Sequence, residues 1–120
     1  MDNITLVLGA SLNPIRYSNK AIKALRANEI NVVAIGAKEG EVADVFVTTK
    51  KEKFNSVDTV TLYLNPSRQK EYYSYILNLS PRRVIFNPGT ENSELMNLLK
   101  ENIIEVEIAC TLVLLATKQY

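Results

Sequence analysis

The chain has 120 residues, 47% apolar and 22% charged, the size and balance of one ordinary globular domain. Its formal net charge of +1, from 14 basic and 13 acidic residues, excludes the broad basic footprint that DNA or RNA binding requires. Histidine is absent and cysteine occurs once, at Cys110, which removes His-dependent triads, phosphohistidine, His-ligated zinc, an internal disulfide and an intrachain thiolate cage.

In chain order, Ile4-Thr5-Leu6-Val7-Leu8 is a continuous apolar run, expected of a strand covered on both faces. A small polar loop follows from Gly9, and a helix is predicted from Ser18 to about Asn28, with Ser18 as cap and Ala21, Ile22 and Leu25 on one face. Asn31-Val32-Val33-Ala34-Ile35-Gly36 is a second buried strand, making the opening a βαβ unit. Between Ala37 and Asn55 the pattern weakens, with Val45 to Thr49 as a short edge strand. Asp58 to Leu64 is β-rich, and Asn65-Pro66 opens a helix, Asn as cap and Pro in the first helical position. Tyr72, Tyr75, Ile76 and Leu79 form its buried face and Pro81 ends it. Arg83 to Asn87 is the next strand, then the turn Asn87-Pro88-Gly89-Thr90 and a helix from Thr90 or Asn92 with Leu95, Leu98 and Leu99 inward. Ile104 to Ile108 alternates as a last strand, and Ala109 to about Lys118 is a short apolar helix. The alternation of strands and helices predicts a three-layer α/β/α sandwich with a mostly parallel sheet. Apolar runs are too short for a membrane span and the first residues lack a signal-peptide pattern, so the expectation is one cytoplasmic domain over residues 1–120.

In such sheets ligands bind outside the carboxyl ends of the strands, which directs attention to residues 9–18, 36–40, 64–68 and 87–91. The first loop is not the dinucleotide fingerprint: of three glycines needed for a tight turn against a pyrophosphate, Gly9 alone is present. Its companions Ser11, Asn13, Arg16, Tyr17, Ser18 and Lys20 are polar, and hydroxyls, helix-terminal N–H groups and a guanidinium suit phosphate. The competing reading is an ordinary strand–helix turn with a capping serine and a solvated arginine. The second strand ends Gly36-Ala37-Lys38, without the acid that takes a free ribose diol in NAD sites; a lysine there favours a phosphate-bearing ribose, or is simply a surface lysine. Glu91 and Glu94 crowd a later helix start and would repel a phosphate, so an anion should prefer the Ser18 end. Cys110 precedes the last helix, where a lowered thiol pKa and a mixed disulfide with a ligand thiol are conceivable, with inert packing the simpler reading.

Val7-Leu8-Gly9-Ala10-Ser11-Leu12-Asn13-Pro14-Ile15-Arg16-Tyr17-Ser18 resembles the opening of the small stand-alone CoA-binding-domain proteins, relatives of the CoA-binding domain of the succinyl-CoA synthetase alpha subunit. Asn87-Pro88-Gly89-Thr90-Glu91-Asn92 and Ala109-Cys110-Thr111-Leu112-Val113 are similar to the same family. The resemblance implies a Rossmann-like, mostly parallel sheet of five or six strands that binds coenzyme A by its nucleotide end. It places Gly9-Ala10-Ser11 against the pyrophosphate, with Asn13, Arg16, Tyr17 and Ser18 nearby, Gly36 and Lys38 at the second strand with Lys38 toward the 3′-phosphate, and Leu64-Asn65-Pro66 along the adenine or pantetheine side. Relatives with Asn-Pro after strand two differ from the Gly36-Ala37 found here, and without a histidine the synthetase's ligase chemistry is not implied. The expected function is non-catalytic binding of CoA or an acyl-CoA, a small-molecule ligand with no nucleic-acid or membrane partner. The alternatives are an enzyme acting on a CoA thioester or another nucleotide, and an NAD- or redox-sensing module.

Overall fold

The computed structural model describes residues 3–120. In chain order it contains β1 (Ile4–Ala10), α1 (Tyr17–Ala27), β2 (Asn31–Gly36), β3 (Gly40–Val42), β4 (Val45–Thr48), β5 (Val57–Leu62), α2 (Pro66–Gln69), a 3₁₀ turn (Lys70–Tyr72), α3 (Tyr73–Leu79), β6 (Arg83–Phe86), α4 (Ser93–Glu101), β7 (Glu105–Ile108) and α5 (Thr111–Ala116). The strands form one seven-stranded sheet in the order β3-β4-β2-β1-β5-β6-β7. Every pairing is parallel except β3 against β4.

The central position of β1 explains its unbroken apolar sequence. Leu6 and Leu8 enter one core with Val60, Leu62, Val84, Phe86, Ile76 of α3 and Leu95 and Leu99 of α4. Val7 enters a second core with Ala34, Val45, Val47 and with Ile22 and Leu25 of α1, and Leu115 of α5 packs at its edge. A strand whose successive side chains alternate between two apolar cores has no polar face to show. Each fully buried leucine or isoleucine contributes about 1.5–3 kcal/mol relative to an exposed one.

The sheet has seven strands where five or six were expected. The strand not read from the sequence is β3, three residues that pair Gly40–Val42 against Val45–Val47 at the sheet edge. Its turn carries Ala43 at φ 55° rather than a glycine or asparagine, so the usual hairpin signature is missing. The turn is held from outside: Asp44 accepts from Arg26 of α1 at 2.8 Å. Ser18 is not the cap of α1. The cap position belongs to Arg16, and Ser18 lies in the first turn, buried beneath the helix. Asn65 does cap α2, its Oδ1 accepting from Arg68 N at 3.0 Å, with Pro66 in the first helical position. The following helix is interrupted by the 3₁₀ turn and ends at Ser80, in the left-handed region at φ 49°, just before Pro81.

The connection from β4 to β5 carries the chain from one side of β1 to the other. This is the switch point of an open α/β sheet, where the loops after adjacent strands run apart and leave a crevice.

Candidate functional site

A cleft of about 940 Å³ opens at that point, within the range of small-molecule sites. One wall is the loop from β1 to α1, contributing Gly9 to Asn13 and Arg16 to Ser18. The end of β2 supplies Ile35, Gly36, Ala37 and Lys38. The opposite wall is Tyr63, Leu64, Arg68, Glu71 and Tyr72, from the end of β5 into the 3₁₀ turn, with Pro88 beyond it.

Two glycines set the floor. Gly9 has φ +99°, and a Cβ there would stand 2.9 Å from the carbonyl carbon of Tyr63. At Gly36 a Cβ would stand 2.2 Å from the carbonyl oxygen of Ala10. Both positions need a residue without a side chain so that β1, β2 and β5 can close together beneath the cleft. The loop above is shaped by its own polar groups. Ser11 Oγ accepts from Asn13 N at 3.1 Å, Asn13 Oδ1 accepts from Ile15 N at 3.1 Å, and the buried Asn19 donates to Ser11 O at 2.9 Å.

The helix ends around the sheet differ in a way that bears on anions. Asn65 caps α2, Asn92 caps α4 by accepting from the N–H groups of Glu94 and Leu95, and the Thr111 N–H of α5 is taken by Asn87 Oδ1 at 2.9 Å. At α1 the cap residue Arg16 supplies no side-chain acceptor, and no acidic residue stands in the first turn. The first-turn N–H groups of α1, at the cleft, therefore retain both their donors and the positive end of the helix dipole. Arg16, Lys38 and Arg68 add three cationic side chains to the lining, against one carboxylate, Glu71. Opposed cations on the two sides of a cleft at a helix N-terminus suit a ligand carrying several phosphates.

Aromatic groups supply the apolar surface. Burial pushes the Tyr63 phenol up to about 12, with hydroxyls of Thr111 and Thr61 opposing the shift, so Tyr63 is neutral in the cleft at physiological pH. Burial likewise raises Tyr72, whose ring lies 4.9 Å from the Lys51 ammonium. Tyr17 is 68% exposed at the rim, with Lys20 Nζ 5.4 Å from its ring centre.

Of the residues singled out from sequence, Gly9, Ala10, Ser11, Asn13, Arg16, Tyr17, Ser18, Gly36 and Lys38 are brought together on this cleft. Asn65 and Pro66 are not in the lining; they build the start of α2, and Leu64 and Arg68 on either side of them face the cleft. Cys110 stands at the cap position of α5, half-buried and outside the lining. Sequence reasoning missed Arg68, Glu71 and Tyr63. The available signal for Arg68 was its place in the first turn of a helix that begins at the carboxyl end of a sheet strand. Among the described residues no cluster of His, Cys, Asp and Glu could hold a metal ion, and no helix is long and apolar enough to cross a membrane.

A mostly parallel α/β sheet with its cleft at the switch point defines a Rossmann-like domain, and the lining of that cleft suits an anionic ligand. Residues 3–116 match the family described as CoA binding domain, and the chain belongs to that family. It is similar over 100% of its length to a protein described only as uncharacterised, covering 99% of that chain at 44% identity and a TM-score of 0.95. Two more distant structures share the fold. One is a protein from Thermus thermophilus, at 22% identity over 99% of this chain and 91% of that one, with a TM-score of 0.87. The other is a conserved hypothetical protein from Pyrococcus furiosus, at 23% identity over 89% of this chain and 92% of that one, with a TM-score of 0.75. No curated protein matches the sequence.

Proposed function

We propose that this domain binds coenzyme A or an acyl-CoA in the cleft and performs no chemistry on it. The observation that carries the reading is the helix N-terminus of α1, left without a side-chain cap on a cleft that also gathers Arg16, Lys38 and Arg68. In this reading the pyrophosphate lies against Gly9, Ala10 and Ser11 and the first turn of α1, where backbone approach is close and N–H groups are available. Lys38, exposed at the end of β2, meets the 3′-phosphate. Family membership supports the ligand class, and the absence of an acid at Gly36-Ala37-Lys38 argues against a free ribose diol and so against NAD. The place of action proposed is the cytoplasm, and the ligand's effect is sequestration or a change in the surface offered to a partner.

Calorimetric titration with CoA, dephospho-CoA and NADH tests this. The expected result is CoA binding, weakened about tenfold, or about 1.4 kcal/mol, by loss of the 3′-phosphate and equally by Lys38→Ala. Equal affinities for CoA and dephospho-CoA reject the role of Lys38, and submicromolar NADH binding with none for CoA rejects the whole reading.

A further inference from the structure

Gln69 has no exposed surface, the most buried side-chain amide among the described residues, and it lies directly behind the wall of the cleft. Its Nε2 donates to two carbonyls at once, Leu64 O and Thr90 O, each at 2.8 Å. Its Oε1 accepts from Asn92 Nδ2 at 2.9 Å, and Asn92 in turn caps α4 and donates to the Tyr73 hydroxyl at 2.9 Å. Every polar capacity facing inward is thus met by groups from three separate segments: the end of β5, the loop after β6 and the start of α4.

The placement of these bonds gives them a role beyond packing. Arg68 immediately precedes Gln69, and Glu71 and Tyr72 follow it within one turn; all three line the cleft, as do Leu64 and Pro88. Asn65 caps the start of this segment and Tyr72 packs against the core at its far end. The segment is a four-residue helix running into a 3₁₀ turn, and within it Gln69 is the sole fully buried side chain. Between those two ends, the buried amide ties the segment to the loop after β6 and the start of α4 and so sets its register and tilt.

We infer that Gln69 is the positioning residue for the ligand-facing wall, holding the Arg68 guanidinium and the Tyr72 ring at the distance from Arg16 and Lys38 that the ligand requires. This rests on the proposal that the cleft binds CoA. Gln69 does not touch the ligand; it acts through Arg68, and that distinguishes it from a residue that merely supports the fold.

The test is a pair of double-mutant cycles in CoA affinity by calorimetry, run on full-length protein confirmed as folded by circular dichroism. Gln69→Met keeps the size of the side chain and removes its bonds. It is expected to weaken CoA binding about tenfold, with strong non-additivity against Arg68→Ala and simple additivity against Lys38→Ala on the other side of the cleft. Loss of affinity that adds to both partners alike, or unchanged affinity in the folded variant, overturns the inference. If Gln69→Met does not fold, Asn92→Ser decides the matter, because serine keeps the α4 cap and removes the donor to Gln69 Oε1. A weakened affinity non-additive with Arg68→Ala supports the inference, and wild-type affinity overturns it. A wild-type chain that binds no CoA rejects the parent reading and this one with it, whereas wild-type binding unaffected by either variant rejects this one alone.

Discussion

Replacing Asn87 with alanine removes the side chain that joins the carboxyl ends of β5 and β6 to the start of α5. Asn87 is 2% exposed, and its Nδ2 donates to Thr61 Oγ1 at 2.6 Å and to Leu62 O at 2.9 Å, while its Oδ1 accepts from Thr111 N at 2.9 Å. In the variant Thr61 keeps a partner in Thr111 Oγ1, 2.8 Å away, but Leu62 O and Thr111 N lose their side-chain partner in a buried setting. Each buried polar group left unsatisfied costs about 1–3 kcal/mol. Two such groups, partly relieved by relaxation, give an expected destabilisation of about 3 kcal/mol. At roughly 4 °C per kcal/mol for a domain of this size, the melting temperature falls by about 12 °C. Urea unfolding followed by circular dichroism measures the change directly. A loss below about 1 kcal/mol would show that the network does not hold the strand ends together, and would refute the reasoning.

Gly36→Ala places a methyl group 2.2 Å from the Ala10 carbonyl oxygen, so β1 and β2 must separate at the cleft floor. The expected cost is about 1–3 kcal/mol in urea unfolding, together with weaker CoA binding. In alkaline difference absorbance, Tyr63 and Tyr75 are both expected to titrate near 12, raised chiefly by burial, so Tyr63→Phe and Tyr75→Phe should each remove one phenol from that late step. For Tyr63, a folded value above the ordinary one means that its stabilising contribution is complete below about 10 and is lost as pH rises toward 12. The opposite sign applies to Asp58, whose carboxyl the Arg82 guanidinium holds below the usual range through paired hydrogen bonds. Its contribution is present above the ordinary aspartate value near about 3.9 and disappears as pH falls through the lowered one. Because Arg82 is 57% exposed, Asp58→Asn should flatten the acid limb of the stability curve by less than about 1 kcal/mol.

How much could be read from sequence followed from where each segment lies. The strands β1, β2 and β6 were legible from their apolar runs, β5 from its β-branched residues, and Asn65-Pro66 because capping is local chemistry. The β3–β4 hairpin was only half legible: β3 is three residues long, partly exposed, and its turn at Ala43 depends on the Arg26–Asp44 pair, a tertiary contact. Ser18 was misread because it lies two residues beyond the cap position at Arg16, inside the first turn of α1, and the capping preference of serine yielded to burial of its side chain. Within the cleft, the near wall follows from the order of residues 9–18 in one loop. The far wall does not. Tyr72 has the spacing of a core residue and packs against the core while also lining the cleft, and Gln69 and Asn87 find partners such as Thr90 O and Thr111 N through contacts between distant segments.

Crystals of the protein grown with coenzyme A test the binding site most directly. Difference density for the pyrophosphate is expected against Gly9-Ala10-Ser11 and the first turn of α1, with the 3′-phosphate within reach of Lys38. Density at the opposite end of the sheet, in the smaller cavity beside Asp58, Arg82 and Tyr120, or an empty cleft at saturating ligand, would contradict it.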